Sequence, residues 1–154
     1  ALPVYGEVYE VGMVRDAAGV PRLAMAVRCL DREGWVCVSL KEDPHPPTED
    51  APMSANPIGE GQRVAARLRS AGPGTARFIR SGSRWALLDW TPGLPAWSRL
   101  ATEAGCDLAQ ATVRLALGLD PGPATAAESG LLWVRRSVDR PLSLERLAAL
   151  AVMA

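Results

Sequence analysis

The sequence of 154 residues has the length of one domain, or of one domain with a small helical appendage. Its hydrophobic share of 48% and charged share of 22% are ordinary for a globular protein, which excludes a chain that is disordered throughout. Seventeen basic side chains balance seventeen acidic ones, and no apolar run approaches the roughly 18 residues of a membrane span. Residues 1–10 lack the charged and apolar regions of a secretion signal, so we expect a cytoplasmic protein without membrane contact.

The N-terminal part of the chain predicts an antiparallel meander of three strands. Apolar residues recur along 4–14, where Gly6 and Gly12 suggest bends or bulges in a long first strand. Residues 16–19 and 31–34 have the composition of tight turns. The unbroken apolar character of WVCVSL after the second turn predicts a strand that is buried on both faces.

The three cysteines and the single histidine predict no metal site. Cys29 and Cys37 each lie in an apolar run, so we expect buried thiols, whereas a disulfide between them across a hairpin would need an oxidising compartment. Cys106 adds no CxxC spacing. His45 lies in a proline-rich loop at 43–58 without other metal ligands at a suitable spacing.

A helix and a hairpin follow the proline-rich loop. Residues 59–72 have helical spacing, and 75–80 and 84–90 predict two strands around a Ser-Gly-Ser turn. Residues 1–92 therefore predict an antiparallel α+β domain of three strands, one helix and two strands. That order fits an OB-like barrel, an open sheet or the fold of secretion-type chaperones.

Residues 93–154 predict a helical region. The segment 95–105 precedes a helix capped by Asp107, and 123–138 has apolar residues at helical spacing. The first two helices have the spacing of a helix-turn-helix motif, although an ordinary helical hairpin is an equally good interpretation. The predicted fold class is therefore α+β, with an N-terminal antiparallel sheet followed by a C-terminal helical bundle.

The segment GLLWVRRSVDRPLSLERLAALAVM, residues 130–153, resembles the start of the DNA-binding domain of AraC/XylS-type transcription regulators. In that family a first helix, an Asp-Arg-Pro-like connection and a second helix precede the recognition helix. The residues Asp139–Pro141 break one helix here, and Ser143 caps the next. The resemblance implies a regulator whose base-reading helix follows this segment, and it does not extend to residues 1–129. Within the chain we expect the segment to close the helical bundle.

No motif in the sequence predicts catalysis. There is no GxSxG, no glycine-rich phosphate loop and no HExxH. A serine or cysteine nucleophile would need His45 as its base, and the single lysine, Lys41, has the acidic neighbours Glu42 and Asp43. We therefore predict a non-enzymatic protein without a cofactor.

The net charge of zero conceals a basic block at residues 59–100, which contains seven arginines and only two acidic residues. The same block contains Phe78, Trp90 and two further tryptophans. Arginines interleaved with aromatic residues are typical of surfaces that bind single-stranded nucleic acid through phosphates and stacked bases. The predicted phosphate contacts are Arg63, Arg67, Arg77, Arg80 and Arg84, with Trp85 as the stacking residue.

The leading prediction is thus nucleic-acid binding in a regulatory or DNA-processing role. Strand alternation places Arg77 and Arg80 on opposite faces, so a second interpretation has the tryptophans in the core and the arginines solvated. A third is a protein-interaction module, either a chaperone-like or an adaptor domain. A fourth is a small-molecule sensor with its ligand between sheet and helices.

Overall fold

The computed structural model describes residues 6–31, 34, 36–40, 56–122 and 127–135. Within these ranges the chain forms six strands and three helices. In chain order the elements are β1 (Glu7–Arg15), β2 (Pro21–Cys29), β3 (Val36–Ser39), α1 (Pro57–Arg67), β4 (Gly72–Ser81), β5 (Arg84–Pro92), α2 (Ser98–Glu103), α3 (Leu108–Ala116) and β6 (Leu132–Val134). None of the helices in these ranges is long and apolar enough to cross a bilayer.

All six strands belong to one antiparallel sheet with the order β5-β4-β1-β2-β3-β6. The long strands β1 and β2 occupy the centre, and β4 and β5 extend the sheet on one side. β5 and β6 lie at opposite ends of this order, so the sheet of the described residues is open. The predicted OB-like barrel is therefore wrong, and the open sheet is the arrangement that forms.

Two tight turns connect the longest strand pairs. Asp16 accepts hydrogen bonds from Ala18 N (3.0 Å) and Val20 N (2.8 Å), and Gly19 takes a positive φ of 78°. Such an Asp-based turn holds β1 and β2 in register. Between β4 and β5 the loop has two residues and Gly82 at φ 60°, the glycine-first arrangement of a type II′ hairpin turn.

Helices cover both faces of the sheet. α1 lies against β1, β2 and β4 on one side, here called the α1 face, and α2 and α3 cover the opposite α2–α3 face. The core of the α1 face consists of Val11, Met13, Ala26, Ile58, Ala65, Ala76 and Phe78. The core of the α2–α3 face includes Val14, Met25, Val27, Trp97, Leu100 and Leu108. Because β1 carries apolar side chains on both faces, it is buried on both sides.

Two glycines allow the helices to approach the sheet closely. A Cβ on Gly61 of α1 would lie 2.7 Å from Met13 Cε, and a Cβ on Gly12 of β1 would lie 2.8–3.0 Å from three side chains of the opposite layer. The pairing of β1 with both neighbours runs unbroken through Gly12. Gly12 is thus a site of close packing rather than the bend or bulge that its position in the sequence suggested.

Local capping explains where two of the helices begin. Asn56 Oδ1 accepts a hydrogen bond from Ile58 N at 2.8 Å, and Pro57 follows it at the start of α1. Asp107 Oδ1 accepts from Gln110 N at 2.8 Å at the start of α3, which confirms the predicted N-cap.

The predicted fold class is wrong in the C-terminal half. The described residues contain no C-terminal helical bundle, because α2 and α3 pack against the sheet instead. Within the predicted helix 123–138, Leu132–Val134 form β6, which pairs antiparallel with β3. The backbone explains the switch: Gly130 has a positive φ of 84° and its N–H donates to Ser39 O at 3.0 Å. Leu131 N donates to Ser39 Oγ at 2.8 Å, so this segment is bound to the sheet edge.

Two other sequence predictions fall largely outside the described residues. The proline-rich loop at 43–58 overlaps the structure only at residues 56–58, which open α1. The last predicted helix, 143–153, lies wholly outside the described ranges.

Candidate functional site

The structure divides the six predicted nucleic-acid contacts among four places: helix α1, the start of β5 beside the turn, the α2–α3 face of the sheet and its α1 face. Arg63 on α1 forms an ion pair with Glu60 one turn earlier at 2.5 Å, and Arg67 is exposed at the end of the same helix. Arg84 is exposed beside the β4–β5 turn. The remaining three residues, Arg77, Arg80 and Trp85, lie in the sheet and are described in turn below.

Arg77 lies on the α2–α3 face and is engaged by a carboxylate. Its Nε is 3.6 Å from Glu10 Oε1, and the two side chains are 27% and 15% exposed. Glu10 Oε2 also accepts a hydrogen bond from the indole N–H of Trp97 at 2.8 Å. Since Trp97 is fully buried, this carboxylate ties β1 and β4 to the start of α2. Arg77 is therefore part of an internal polar cluster and does not share a surface with Arg80.

Arg80 and Trp85 do meet, on the α1 face. The Arg80 guanidinium carbon lies 5.4 Å from the centre of the Trp85 ring, within cation–π distance, and its Nε donates to Gly82 O at 3.0 Å. Trp85 also makes edge-on contacts with Tyr9 (5.1 Å) and Phe78 (6.1 Å between ring centres). The ring is half-buried in an aromatic cluster, so one part of it packs and one part faces solvent.

A chain of polar contacts borders this aromatic cluster. Tyr9 Oη donates to Glu7 Oε2 at 2.7 Å, and Glu7 Oε1 accepts from Arg28 at 3.2 Å. The Tyr9 hydrogen bond, with the Arg28 contact, holds the pKa of Glu7 below its ordinary value. Burial and the Glu7 hydrogen bond raise the pKa of Tyr9. Both groups therefore keep their ordinary neutral-pH forms, an ionised Glu7 and a protonated Tyr9.

Sequence reasoning missed an apolar row along β5, formed by Trp85, Leu87 and Trp90. The register places them opposite Arg80, Phe78 and Ala76, which lie on the α1 face. A bulge in the pairing with β4 leaves Leu88 without a partner in the register and returns Trp90 to the face of Trp85 and Leu87. Simple alternation would have put Trp90 on the other face, so the row could not be found from the sequence. We call these three residues the β5 row.

The β5 row is partly open to solvent. Leu87 is 41% exposed and the neighbouring Leu88 is 45% exposed, whereas the two tryptophans are half-buried. The Trp90 ring lies over Gly74 of β4, since a Cβ there would come within 2.5 Å of the ring. The absence of a side chain at Gly74 thus leaves the space that the ring occupies. Two fixed aromatic rings with an exposed leucine between them form a shallow apolar surface.

The backbone of β5 is also available for pairing in the described part of the chain, where this nine-residue strand ends the sheet. Counting from the two-residue turn, the alternation of antiparallel pairs directs the N–H and C=O groups of Trp85 and Leu87 away from β4. The N–H of Trp90 also points outward, but Asp89 Oδ1 accepts it at 2.8 Å. The half of β5 nearer the turn is therefore the better template for another strand.

The opposite edge is much smaller. β6 has three residues, and Leu132 and Val134 are 59% and 50% exposed. Such a short strand presents few backbone groups to a partner. Elsewhere in the described ranges, no three His, Cys, Asp or Glu side chains lie close enough together to hold a metal ion. The β5 edge is therefore the best-formed candidate site.

Comparisons with known proteins identify the fold without assigning a family. No protein-family model matches the chain. No curated protein matches its sequence significantly. Among solved structures, two of pyruvate carboxylase from Rhizobium etli match. The T882A form with the allosteric activator acetyl coenzyme A matches with a TM-score of 0.55 and 14% identity over 73% of this chain. The complete multifunctional enzyme matches with a TM-score of 0.56 and 15% identity over 75% of this chain. A single-chain, multi-domain long-chain acyl-CoA carboxylase matches with TM-score 0.52 and 19% identity over 84% of this chain. The matches span only 10%, 11% and 14% of those chains respectively.

These findings overturn the leading prediction from the sequence. The structural neighbours are carboxylases rather than nucleic-acid-binding proteins, and the described C-terminal residues add a strand to the sheet instead of forming a helix-turn-helix. Nucleic-acid binding in transcription regulation is therefore a wrong prediction. The comparisons agree better with the alternative, a protein-interaction module, since this fold occurs there as a small part of multidomain chains. The AraC/XylS resemblance of residues 130–153 stays untested, and most of that segment lies outside the described residues.

Proposed function

We propose that the chain is a non-enzymatic protein-interaction module, which binds an extended segment of a partner domain along β5. The observation that carries the proposal is the combination of an outward-facing backbone edge with the apolar β5 row on the same strand. The occurrence of this fold as about a tenth of multidomain carboxylases supports a role beside other domains.

The binding mode follows from the geometry of the edge. An added strand would form main-chain hydrogen bonds with Trp85 and Leu87, which supply affinity without regard to sequence. Alternate side chains of the added strand would then contact the β5 row, and contact with fixed aromatic rings supplies specificity. Exposed apolar edges are normally protected in natural sheets. The bulge and the Asp89 side chain protect only the half of β5 that is farther from the turn, so the other half, which includes the exposed Leu87, favours a partner.

The charges near the turn define the partner further. Arg80 near the end of β4 and Arg84 at the start of β5 both lie beside the Gly82 turn, and Arg80 already contacts the Trp85 ring. A segment with alternating apolar residues and one acidic residue at this end would be complementary to both charge and surface. Binding of an extended segment requires no catalytic group, so the proposal keeps the expectation of a non-enzymatic chain without a cofactor.

The test is a selection of binding peptides on the immobilised chain. A displayed library of random extended peptides should yield apolar-alternating sequences, and calorimetry with synthetic copies measures their affinity. In the L87K variant we expect affinity to fall by about tenfold or more, because a lysine removes apolar contact and discourages edge pairing.

The matched control is V113K, which introduces the same side chain at a 58%-exposed valine of α3. This helix packs on the α2–α3 face of the sheet, opposite the face of the β5 row. This variant should bind as the unmodified chain does. Far-UV circular dichroism of both variants checks that the fold is intact. The proposal fails if no peptide is selected, or if L87K and V113K bind the selected peptides equally well.

A further inference from the structure

Two cysteines lie directly opposite each other on neighbouring strands. Cys29 ends β2, Cys37 lies in β3, and the register pairs the two residues. Their sulfur atoms are 3.6 Å apart, and all three cysteines of the chain are in the thiol form. Cys106, the third cysteine, is engaged elsewhere, with its Sγ 3.6 Å from Ala24 O. The close thiol pair therefore belongs to Cys29 and Cys37 alone.

The backbone at this pair has the geometry that a disulfide needs. Leu30 N donates to Val36 O at 2.7 Å, which makes Cys29 and Cys37 a pair of the non-hydrogen-bonded kind. In such pairs the Cα atoms are about 4.5 Å apart and the side chains approach most closely. Disulfides form at Cα separations of roughly 4.4–6.8 Å, so rotation about the two Cα–Cβ bonds brings the sulfurs into bonding distance without a change of register.

Access to the pair is one-sided. Cys37 is fully buried, whereas Cys29 is 7% exposed and borders an open cavity of about 300 Å³. The cavity is also lined by Glu7, Arg28 and Asp31, which give it a polar rim. A small molecule that enters the cavity meets Cys29 first, and Cys37 is then the neighbouring thiol that can displace it.

We propose that Cys29 and Cys37 are an oxidisable dithiol, which exchanges with a small-molecule disulfide to form a cross-strand disulfide between β2 and β3. In the first step the Cys29 thiolate attacks one sulfur of the small disulfide, forms a mixed disulfide and releases one small thiolate. In the second, Cys37 loses its proton and attacks Cys29 Sγ, so the mixed disulfide breaks and the second small thiolate leaves. The chain loses two electrons and two protons, and the small disulfide becomes two thiols.

The environment of the pair sets how readily it reacts. The hydrogen bond with Cys37 and burial both raise the pKa of Cys29, so the thiol form dominates at neutral pH. Exchange is accordingly slow at neutral pH, because the thiolate is the attacking form. The disulfide would join β3 covalently to β2, and Trp133 of β6 pairs with Cys37 on the far side of β3. Oxidation therefore stabilises the pairing of β3 with β2 at this end of the sheet. This effect does not depend on whether β5 binds a partner.

The experiment is incubation of the native chain with oxidised glutathione, followed by intact mass and non-reducing peptide mapping. We expect the loss of two hydrogens, a Cys29–Cys37 linked peptide, and amide exchange in β3 slowed by about tenfold, all reversed by a reductant. The C106S variant should give the same product. A mixed disulfide with glutathione as the final product, a link that includes Cys106, or an unchanged dithiol would each overturn the proposal. Mapping of the unmodified chain decides these outcomes even if variants at Cys29 or Cys37 fail to fold.

Discussion

Replacement of Gly12 by alanine tests how the α2–α3 layer is seated on the sheet. The added Cβ would lie 2.8 Å from Pro95 Cγ, 2.9 Å from Leu108 Cδ1 and 3.0 Å from Trp97 Cη2. Carbon atoms pack best at about 3.5–4.0 Å, so all three contacts are too short at once. Trp97 and Leu108 are both fully buried, which leaves little free space into which they can move.

The expected cost follows from two opposing effects. Insertion of a methyl group into a well-packed core costs about 1–3 kcal/mol. Replacement of a strand glycine by alanine offsets roughly 0.5–1 kcal/mol of this cost, because the unfolded chain loses conformational freedom. We therefore expect G12A to lower the free energy of unfolding by about 1–2 kcal/mol, and Tm by roughly 2–8 °C for a chain of this size.

Urea unfolding followed by tryptophan fluorescence measures the effect, and the midpoint should fall with an unchanged slope. The control is a double-mutant cycle with L108V, which shortens one of the crowded side chains. By itself L108V should destabilise, but in the double variant the new methyl group fills the space that it leaves. A favourable coupling of at least about 0.5 kcal/mol is expected. A G12A chain as stable as the unmodified one, or strict additivity with L108V, would refute the close-packing explanation.

Two further predictions concern single positions. In G74A the new methyl group would displace the Trp90 ring, which lies within 2.5 Å of that position. The Trp90 indole N–H resonance should therefore shift, and affinity for peptides selected on β5 should fall by about tenfold. Unchanged spectra and an unchanged affinity would contradict this prediction. Burial raises the pKa of the Cys106 thiol to about 12 from an ordinary value of 9.0. Above pH 9 the unfolded chain then loses this proton while the folded chain keeps it. The thiol therefore lowers the free energy of unfolding by up to about 1.4 kcal/mol for each pH unit above 9. Urea unfolding between pH 8 and pH 11 should show a shallower decline for C106A, and identical slopes would argue against the shift.

The sequence predicted features whose cause is local. The Asp16 turn, the glycine turn between β4 and β5, and the Asp107 cap each depend on one side chain or one backbone conformation within a few residues. The order of the first six elements, three strands, a helix and two strands, agrees with the prediction for the same reason. Apolar periodicity and turn residues are sufficient to define such elements.

The residues 123–138 show where local reasoning fails. Their apolar spacing fits a helix, yet Leu132–Val134 form a strand, because β3 presents an unpaired edge to which this segment binds. Tertiary pairing outweighs a weak helix preference, which is worth only tenths of a kcal/mol per residue. The same dependence on pairing explains why the predicted fold class was wrong.

The candidate site depended on the tertiary structure even more strongly. From the sequence alone, Trp85, Leu87 and Trp90 do not share a strand face, and only the bulge in the pairing of β5 with β4 brings them into one row. Cys29 and Cys37 were recognisable as buried residues of two neighbouring strands, but their register and sulfur distance depend on how β2 and β3 pair. Sequence by itself determined the turns, the helix cap and the early element order, since these depend on near neighbours. The tertiary structure decided strand order, register and which side chains meet, since these depend on contacts between residues far apart in the chain.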